Sequence, residues 1–431
     1  MSVRRMLVFG VAIPLLALVA VAMQPGCAAD PSQAPTFATA GIALPPGFEA
    51  TIFADGTGRA RQIAVRENGD VFVALRQQKD GAGIVALRDE DGDGKADVIE
   101  RFGDVNGTGI AFYKDYLYFG TESSVVRFPM AADKLRPTGP MQPVAQLPTQ
   151  HTHAAKPITF DSQGHLYVNI GAPSNACQQE SRTPGSPGLE PCPQLEQHAG
   201  IWRFDADITG QTQEEHGHRY ATGLRNCVAL EWNHVAGSLY AVMHGRDQLN
   251  TLFPKYFDAK DNAQLPAEEF HKLEDSSNAG WPYTYWDGRQ DKRVIAPEYG
   301  GDGEKAADPS KYQEPIQVFP AHWAPNDLLF YTGTQFPAKY RHGAFIAWHG
   351  SWNRAPLEQR GYKITFTPMN DDGLPAGDPE VFADGFAGMD PIASPSQAEH
   401  RPMGLAVAPD GALFITDSVV GRVWRVSYTG E

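Results

Sequence analysis

Short runs of alternating apolar and polar residues recur along almost the whole chain. In Ile158-TFDSQGHLYVNI-Gly171 two such runs flank a Ser162-Gln163-Gly164 turn. Side chains alternate between the two faces of a strand, so each run reads as a half-buried strand and each pair as a hairpin. The unit returns at Ile63–Arg76, Ile110–Pro129, Val228–Gly245, Gly343 onward and Leu405–Ser427, which makes six copies. Repeats of a few strands with no linker between them predict an all-β chain, a six-bladed β-propeller over residues 44–431. Phe48-EATI-Phe53 stands alone ahead of the repeats and is expected to complete the last blade and close the ring. Residues 131–152, 173–200, 246–327 and 386–400 lack the alternation and are expected as loops between blades, where a rigid scaffold carries function.

The N-terminus departs from this pattern. Arg4 and Arg5 precede an apolar run from Met6 to Met23, then Gly26-Cys27, which reads as an export leader over 1–26 with Cys27 as a lipidation point. Residues 27–43, rich in Ala, Pro, Ser and Thr, read as a flexible tether. The expected address is exported and periplasmic, with the membrane met only through a lipid on Cys27. A formal net charge of −15 argues against nucleic acid as a partner, since phosphates would repel it. In an oxidising compartment Cys177 and Cys192 are placed to close a disulfide around a Pro/Gly-rich loop, whereas Cys227 lies in an apolar run as a buried thiol.

Two groups of residues carry chemistry. Asp89, Asp91, Asp93, Asp97 and Glu100 stand at positions 1, 3, 5, 9 and 12 of a loop with Gly94 at position 6, and Lys95 offers a carbonyl. That spacing wraps hard oxygens round one calcium ion. Separately, His153 with Lys156, Arg225 with Asn226, Arg354 and Arg401 stand just before or after blade strands. Singly each is a surface charge. Propeller symmetry aims them together at one axial pocket suited to a small polyanion, because arginine binds carboxylates with paired hydrogen bonds.

These stretches, LPPGFEATIFA, DEDGDGKAD, HAAKPITFDSQGHLYVNIG, ATGLRN, HGRDQL, NAGWPY, HGSWNR and RPMGLAVAPDG, resemble the sorbosone and soluble aldose dehydrogenase family over roughly 44–428. Its members are quinoproteins that use pyrroloquinoline quinone (PQQ) on a six-bladed propeller. The resemblance implies that His153 is the general base for the substrate hydroxyl while hydride passes to the quinone. It implies Arg225 and Asn226 near the quinone oxygens, and Arg401 with Arg354 or Lys156 near the three cofactor carboxylates. It also implies backbone carbonyls of Gly245 and Arg246 as ligands of a cofactor calcium, with Asp247 close by. Thr152 and Val105 replace polar or acidic residues of the glucose-oxidising branch, which favours a sorbosone-like branch acting on an aldose or sugar-derived aldehyde. His151 is a rival base. With no CxxCH haem motif in the chain, the electron acceptor is expected to be a separate periplasmic partner. Two other readings stay open: a metal-dependent lactonase-type hydrolase, and a non-catalytic propeller that binds carbohydrate or protein.

Overall fold

The computed structural model describes residues 32–33 and 37–430. The leader and Cys27 lie outside the described residues. The chain forms the six-bladed β-propeller that its repeats predict, with one four-stranded antiparallel unit per blade. The innermost strands are Ala60–Val65, Gly107–Tyr113, Ile158–Phe160, Ala229–Asn233, Pro325–Phe330 and Pro402–Val407. Each packs beside the next around the axis. Phe48–Ala54 pairs antiparallel with Val423–Tyr428 and closes the ring as the outer strand of blade 6. Phe48 anchors the closure, with its ring 4.7 Å from that of Phe336 and 5.0 Å from that of Phe382 in blade 5.

The stretches expected to be loops are partly strands. Gln142–Gln146 is the outer strand of blade 2, and Glu268–Leu273 and Gln317–Phe319 are the two outer strands of blade 4. In blade 4 the alternation is hidden because polar groups are buried. In EEFHKL, Glu268, Glu269 and His271 are all inside, with Glu269 meeting the Arg293 guanidinium at 2.5 Å. The expected tether also ends early. Phe37–Thr39 pairs with Ile42–Leu44, and Ile42 and Leu44 sit in the core shared by blades 5 and 6. A brief apolar alternation inside an Ala/Pro/Ser/Thr-rich stretch was enough to dock it. Cys177 and Cys192 are joined in a disulfide that staples a long loop, expected between blades but joining the second and third strands of blade 3, and Cys227 is a buried free thiol.

In every blade the start of the first strand and the end of the second lie at the same end of the axis, because the two run antiparallel. That end gathers Arg61, the 151–157 loop, Arg225–Val228, Pro325 and Arg401 from strand starts. From strand ends it gathers Gly171, His244 and His349.

Candidate active site

His153 is held with unusual care. Its backbone is in the left-handed region, φ 53°, which a non-glycine residue adopts only when its surroundings impose it. The imposing group is the side-chain amide of buried Gln150, which donates to the carbonyls of Thr152 (2.8 Å), His153 (2.9 Å) and Gly171 (2.9 Å). Gly171 has to be glycine, since a Cβ there would lie 2.6 Å from the Cβ of His153 and 2.7 Å from Oδ1 of Asn226. The imidazole Nδ1 lies 2.7 Å from the carbonyl oxygen of Ala172. A carbonyl only accepts, so Nδ1 carries the hydrogen and Nε2 keeps a free lone pair. Burial first, and then the neighbouring Arg225 guanidinium, push the imidazole pKa down to about 3, so the ring is neutral at physiological pH. His151 is exposed and has no hydrogen bond among the described residues.

Arg225 is buried beside it and nearly all its donors are spent within the protein. Nε reaches the Asn175 carbonyl (3.2 Å), Nη1 the Gly245 carbonyl (2.8 Å), and Nη2 both Oδ1 of Asn175 (3.1 Å) and Oδ2 of Asp247 (2.9 Å). Asp247 also takes bonds from Arg182 (3.0 Å) and Asn353 (2.7 Å). Burial alone would raise its carboxyl pKa, but the Arg225 guanidinium and its neighbours hold it below the usual carboxylate range. This end of the cleft is therefore charge-balanced. A calcium ion at the Gly245 carbonyl would meet a fixed guanidinium, so the structure as it stands does not fit the cofactor calcium expected at Gly245 and Arg246. Arg246 instead forms a buried ion pair with Glu298. Asn226 lies buried under Gly171, its Oδ1 accepting from Asn169 at 3.3 Å.

The opposite side of the cleft has no arginine–carboxylate ion pair among the described residues, and the charge of Arg401 is offset only by the nearby Tyr362 and Asp417. Arg401 donates from Nε to the His349 carbonyl (3.0 Å) and from Nη2 to the Gly350 carbonyl, while its backbone N–H donates to Asp417 (2.7 Å). Arg61 faces it from blade 1. His349 is driven well below the ordinary imidazole range by burial and by the positive charges of Arg401 and Arg61. His244 is pushed down to about 4 by burial and Arg225, and its Nε2 donates to the Pro325 carbonyl at 2.7 Å. Arg61, His244, His349, Asn175 and Gln150 were not anticipated from the sequence. A signal existed for three of them: His244-Gly245 and His349-Gly350 leave the second strands of blades 4 and 5 at matching points, and Arg61 precedes blade 1 as Arg401 precedes blade 6.

Lys156 and Arg354, the other expected cofactor residues, are held by backbone carbonyls. Lys156 is fully buried with Nζ 2.9 Å from the Ala154 carbonyl. Burial lowers its ammonium to about 8, partly opposed by Glu122 on the blade 2 side, and among the described residues no bond joins it to Arg225 or Arg401. Arg354 clamps loops at the rim, with Nε donating to the Glu358 carbonyl (2.9 Å) and Nη1 to that of Ala263 (2.5 Å). It braces the turn that presents Asn353 to Asp247.

In the 89–100 loop, ligand oxygens of Asp89, Asp91 and Asp97 lie within 4.8 Å of one another. Asp93 instead accepts from the Lys95 N–H (2.8 Å), and Glu100 faces Arg136 at 3.4 Å. The loop is docked on the ring-closing strand, with Ala96 N–H donating to the Phe53 carbonyl at 2.8 Å.

Beyond the cleft, along the axis, the innermost strands line a cavity of about 360 Å³. Its charged groups are carboxyls. Asp327 accepts from Gln62 (2.8 Å) and from the N–H groups of Leu328 (3.1 Å) and Leu405 (2.8 Å), and burial nonetheless pushes it up to about 8. Glu231 is raised well above the carboxylate range by burial and by Asp327.

Known proteins resemble this arrangement. A Borreliella burgdorferi protein described as uncharacterized is 26% identical over 404 residues, covering 90% of this chain and 92% of its own length. A pyrroloquinoline quinone-dependent pyranose dehydrogenase from Coprinopsis cinerea is 28% identical over 208 residues, which is 43% of this chain and 27% of that protein. Among solved structures, a calcium structure of the Trichoderma reesei carbohydrate-active enzyme of family AA12 superposes with a TM-score of 0.73 at 17% identity, covering 92% of this chain and 100% of that one. The PQQ-bound aldose sugar dehydrogenase of Streptomyces coelicolor superposes with a TM-score of 0.55 at 18% identity, covering 89% and 99%. At these identities the superpositions establish the shared propeller, and the family follows from sequence. The TrAA12-like profile matches residues 42–429, and the chain belongs to that family.

Proposed function

We propose that this protein is a PQQ-dependent sugar oxidoreductase. Its substrate is an aldose or sugar-derived aldehyde of the sorbosone type, and it passes electrons to a separate periplasmic acceptor. The observation that carries this reading is the neutral His153 imidazole, its Nε2 lone pair free, enclosed in a cleft whose cations are arginines. Such a donor set suits a planar polycarboxylate. The names of the pyranose and aldose sugar dehydrogenases that the chain resembles support the same cofactor and substrate class.

When bound, the quinone supplies the two-electron acceptor that takes hydride from the substrate carbon. Arg401 holds cofactor carboxylate, and the one free Arg225 N–H and Asn226 serve the quinone end. His153 accepts the substrate hydroxyl proton at Nε2, and its Nδ1–H bond to Ala172 fixes the tautomer that permits this. Gln150 is a positioning residue. Calcium is assigned to the 89–97 loop, where three carboxylates converge, and there it would tie blade 1 to the closing strand. The leader-like start and the Cys177–Cys192 disulfide support export, with Cys27 as lipid anchor.

The test is to add PQQ and calcium to purified apoprotein, then offer aldoses and aldehydes with an artificial dye. A quinone absorbance change that reverses on adding a sugar, with dye reduction, is the expected result. Absence of any spectral change with PQQ would overturn the reading.

A further inference from the structure

A smaller pocket lies outside the cleft, behind its wall. Two of the long insertions meet there, and a hairpin additional to the blades, Thr284–Asp287 with Lys292–Ile295, fixes their junction. The pocket has a volume of about 240 Å³, and Glu190, Tyr283, Tyr299, Asp308, Lys311 and Tyr312 stand in its lining. The disulfide layer divides it from the cleft. Tyr283 packs on Cys177, Cys192 and Trp281, and Trp281 Nε1 donates to the Asn175 carbonyl (3.0 Å) that also takes Arg225. The tyrosine rings are seated from behind. Tyr283 and Tyr299 meet edge to face with centroids 4.9 Å apart. A Cβ on Gly188 would lie 2.2 Å from Cζ of Tyr299, and one on Gly280 would lie 3.2 Å from the Tyr312 ring. Their polar ends are not used up. The Tyr283 hydroxyl accepts from the Cys192 N–H (2.8 Å) and keeps its own hydrogen. The Tyr299 hydroxyl donates to the carbonyls of Ala176 (3.3 Å) and Cys177 (3.4 Å) and can still accept. The Tyr312 hydroxyl and the Glu190 carboxylate make no hydrogen bond or ion pair among the described residues. These groups bear on one another: burial, then Tyr283, then Glu190 push the Tyr312 phenol up.

A ligand of this pocket has to offer apolar faces to fixed aromatic rings, and hydroxyl groups that both donate to Glu190 and accept from tyrosine. A pyranose ring has that make-up, with C–H groups on its faces and hydroxyls round its edge. The volume is a little under the range of about 300–1,000 Å³ usual for drug-sized ligands, which leaves room for one ring. Glu190 and Asp308 oppose an anion. Lys311 beside Asp308 offsets one of those charges, so an uncharged polyol fits better than a cation. We infer that this pocket is an accessory carbohydrate-binding site, in which one pyranose unit of a sugar chain lies against Tyr283 and Tyr312 and donates its hydroxyls to Glu190. The site is separate from the cleft and stands whether or not the cleft holds quinone. Holding a glycan here would raise the effective concentration of sugar ends near the cleft, without any new contact at His153.

The test is calorimetric titration of the full chain, without PQQ, with the methyl pyranosides of glucose, galactose and mannose, and with tetramethylammonium as the cation probe. At least one glycoside should bind the wild type. Tyr312→Ala should weaken that binding about tenfold or more, as for truncation of an aromatic anchor. Glu190→Ala should weaken it about 10- to 100-fold, as for loss of a hydrogen bond to a charged group. Glu190 is exposed, so this variant decides the matter even if Tyr312→Ala lowers the melting temperature. Failure of the wild type to bind any of the three glycosides would overturn the inference. Glycoside binding that both variants retain at full strength would place the sugar elsewhere and overturn it too. Tetramethylammonium bound in preference to the glycosides, and lost in Glu190→Ala, would make the pocket a cation cage and overturn the carbohydrate assignment. Because no quinone is present, failure here leaves the oxidoreductase reading intact, and a chain that binds no PQQ can still pass.

Discussion

The two ends of the propeller axis are built by the same six strands and have opposite chemistry. At the strand starts stand Arg61, Arg401 and Arg225 with three neutral histidines, His153, His244 and His349. Further along the axis, within their strands, stand Glu231 and Asp327, and the change occurs within one residue: Arg61 faces the cleft and Gln62 the cavity, Asn326 bonds upward to Met403 and Asp327 downward to Gln62. Period-two alternation alone would give both ends the same character. The difference comes from what adjoins each end. Long insertions and strand exits crowd the cleft with carbonyl acceptors that fix imidazole tautomers, while the far end is bounded by tight hairpin turns. The cationic end can therefore hold an anion and keep a base neutral, and the acidic end does neither.

The largest effect expected from breaking this contrast is at the base. His153→Ala should keep PQQ affinity and lose about 100- to 10,000-fold in turnover, whereas His151→Ala should stay within a few-fold of wild type. Steady-state rates with the quinone saturating check both, and the reverse pattern would transfer the role to His151. Next, Arg401→Ala should weaken PQQ binding by about 30- to several-thousand-fold, the loss of about 2–5 kcal/mol, measured by the same absorbance titration. Unchanged affinity would remove Arg401 from the cleft's function.

Smaller effects are expected away from the cleft. Calcium should stabilise the ring closure through the 89–97 loop, by up to about 2.7 kcal/mol at a hundredfold excess over Kd. A chelator should lower the wild-type melting temperature and leave Asp91→Ala unmoved; an unmoved wild type would dismiss the site. The smallest is a pH slope from the acidic end. Asp327 has a folded pKa of about 8, above that of an unfolded aspartate. The folded state therefore binds more protons, and its stability falls as pH rises from about 4 toward 8. Asp327→Asn should flatten the melting-temperature profile in that window, and a profile of unchanged slope would show that the three N–H donors keep Asp327 ionised.

Much of this was legible in the chain. The blade hairpins were, because their inner strands alternate cleanly, and so was the closing strand at Phe48. The outer strands of blade 4 were not, because Glu268, Glu269 and His271 are buried as polar partners and erase the apolar signal, and in blade 2 Gln142–Gln146 buries only Val144 and Ala145. The contiguous Asp89–Glu100 spacing pointed to a carboxylate cluster, yet which carboxylates converge depends on local turns, and only Asp89, Asp91 and Asp97 do so. His153, Arg225 and Arg401 stood out by position. The network that balances Arg225 did not, since Asn175 and Asp247 lie 50 and 22 residues from it in sequence and meet it only in the closed ring.

The most direct test of the central claim is a crystal structure of the protein soaked with PQQ. The account predicts one planar ligand at the cationic end, a carboxylate against Arg401 and its quinone end toward His153 and Arg225. A ligand lying the other way round, or one seated in the far cavity beside Glu231 and Asp327, would contradict it.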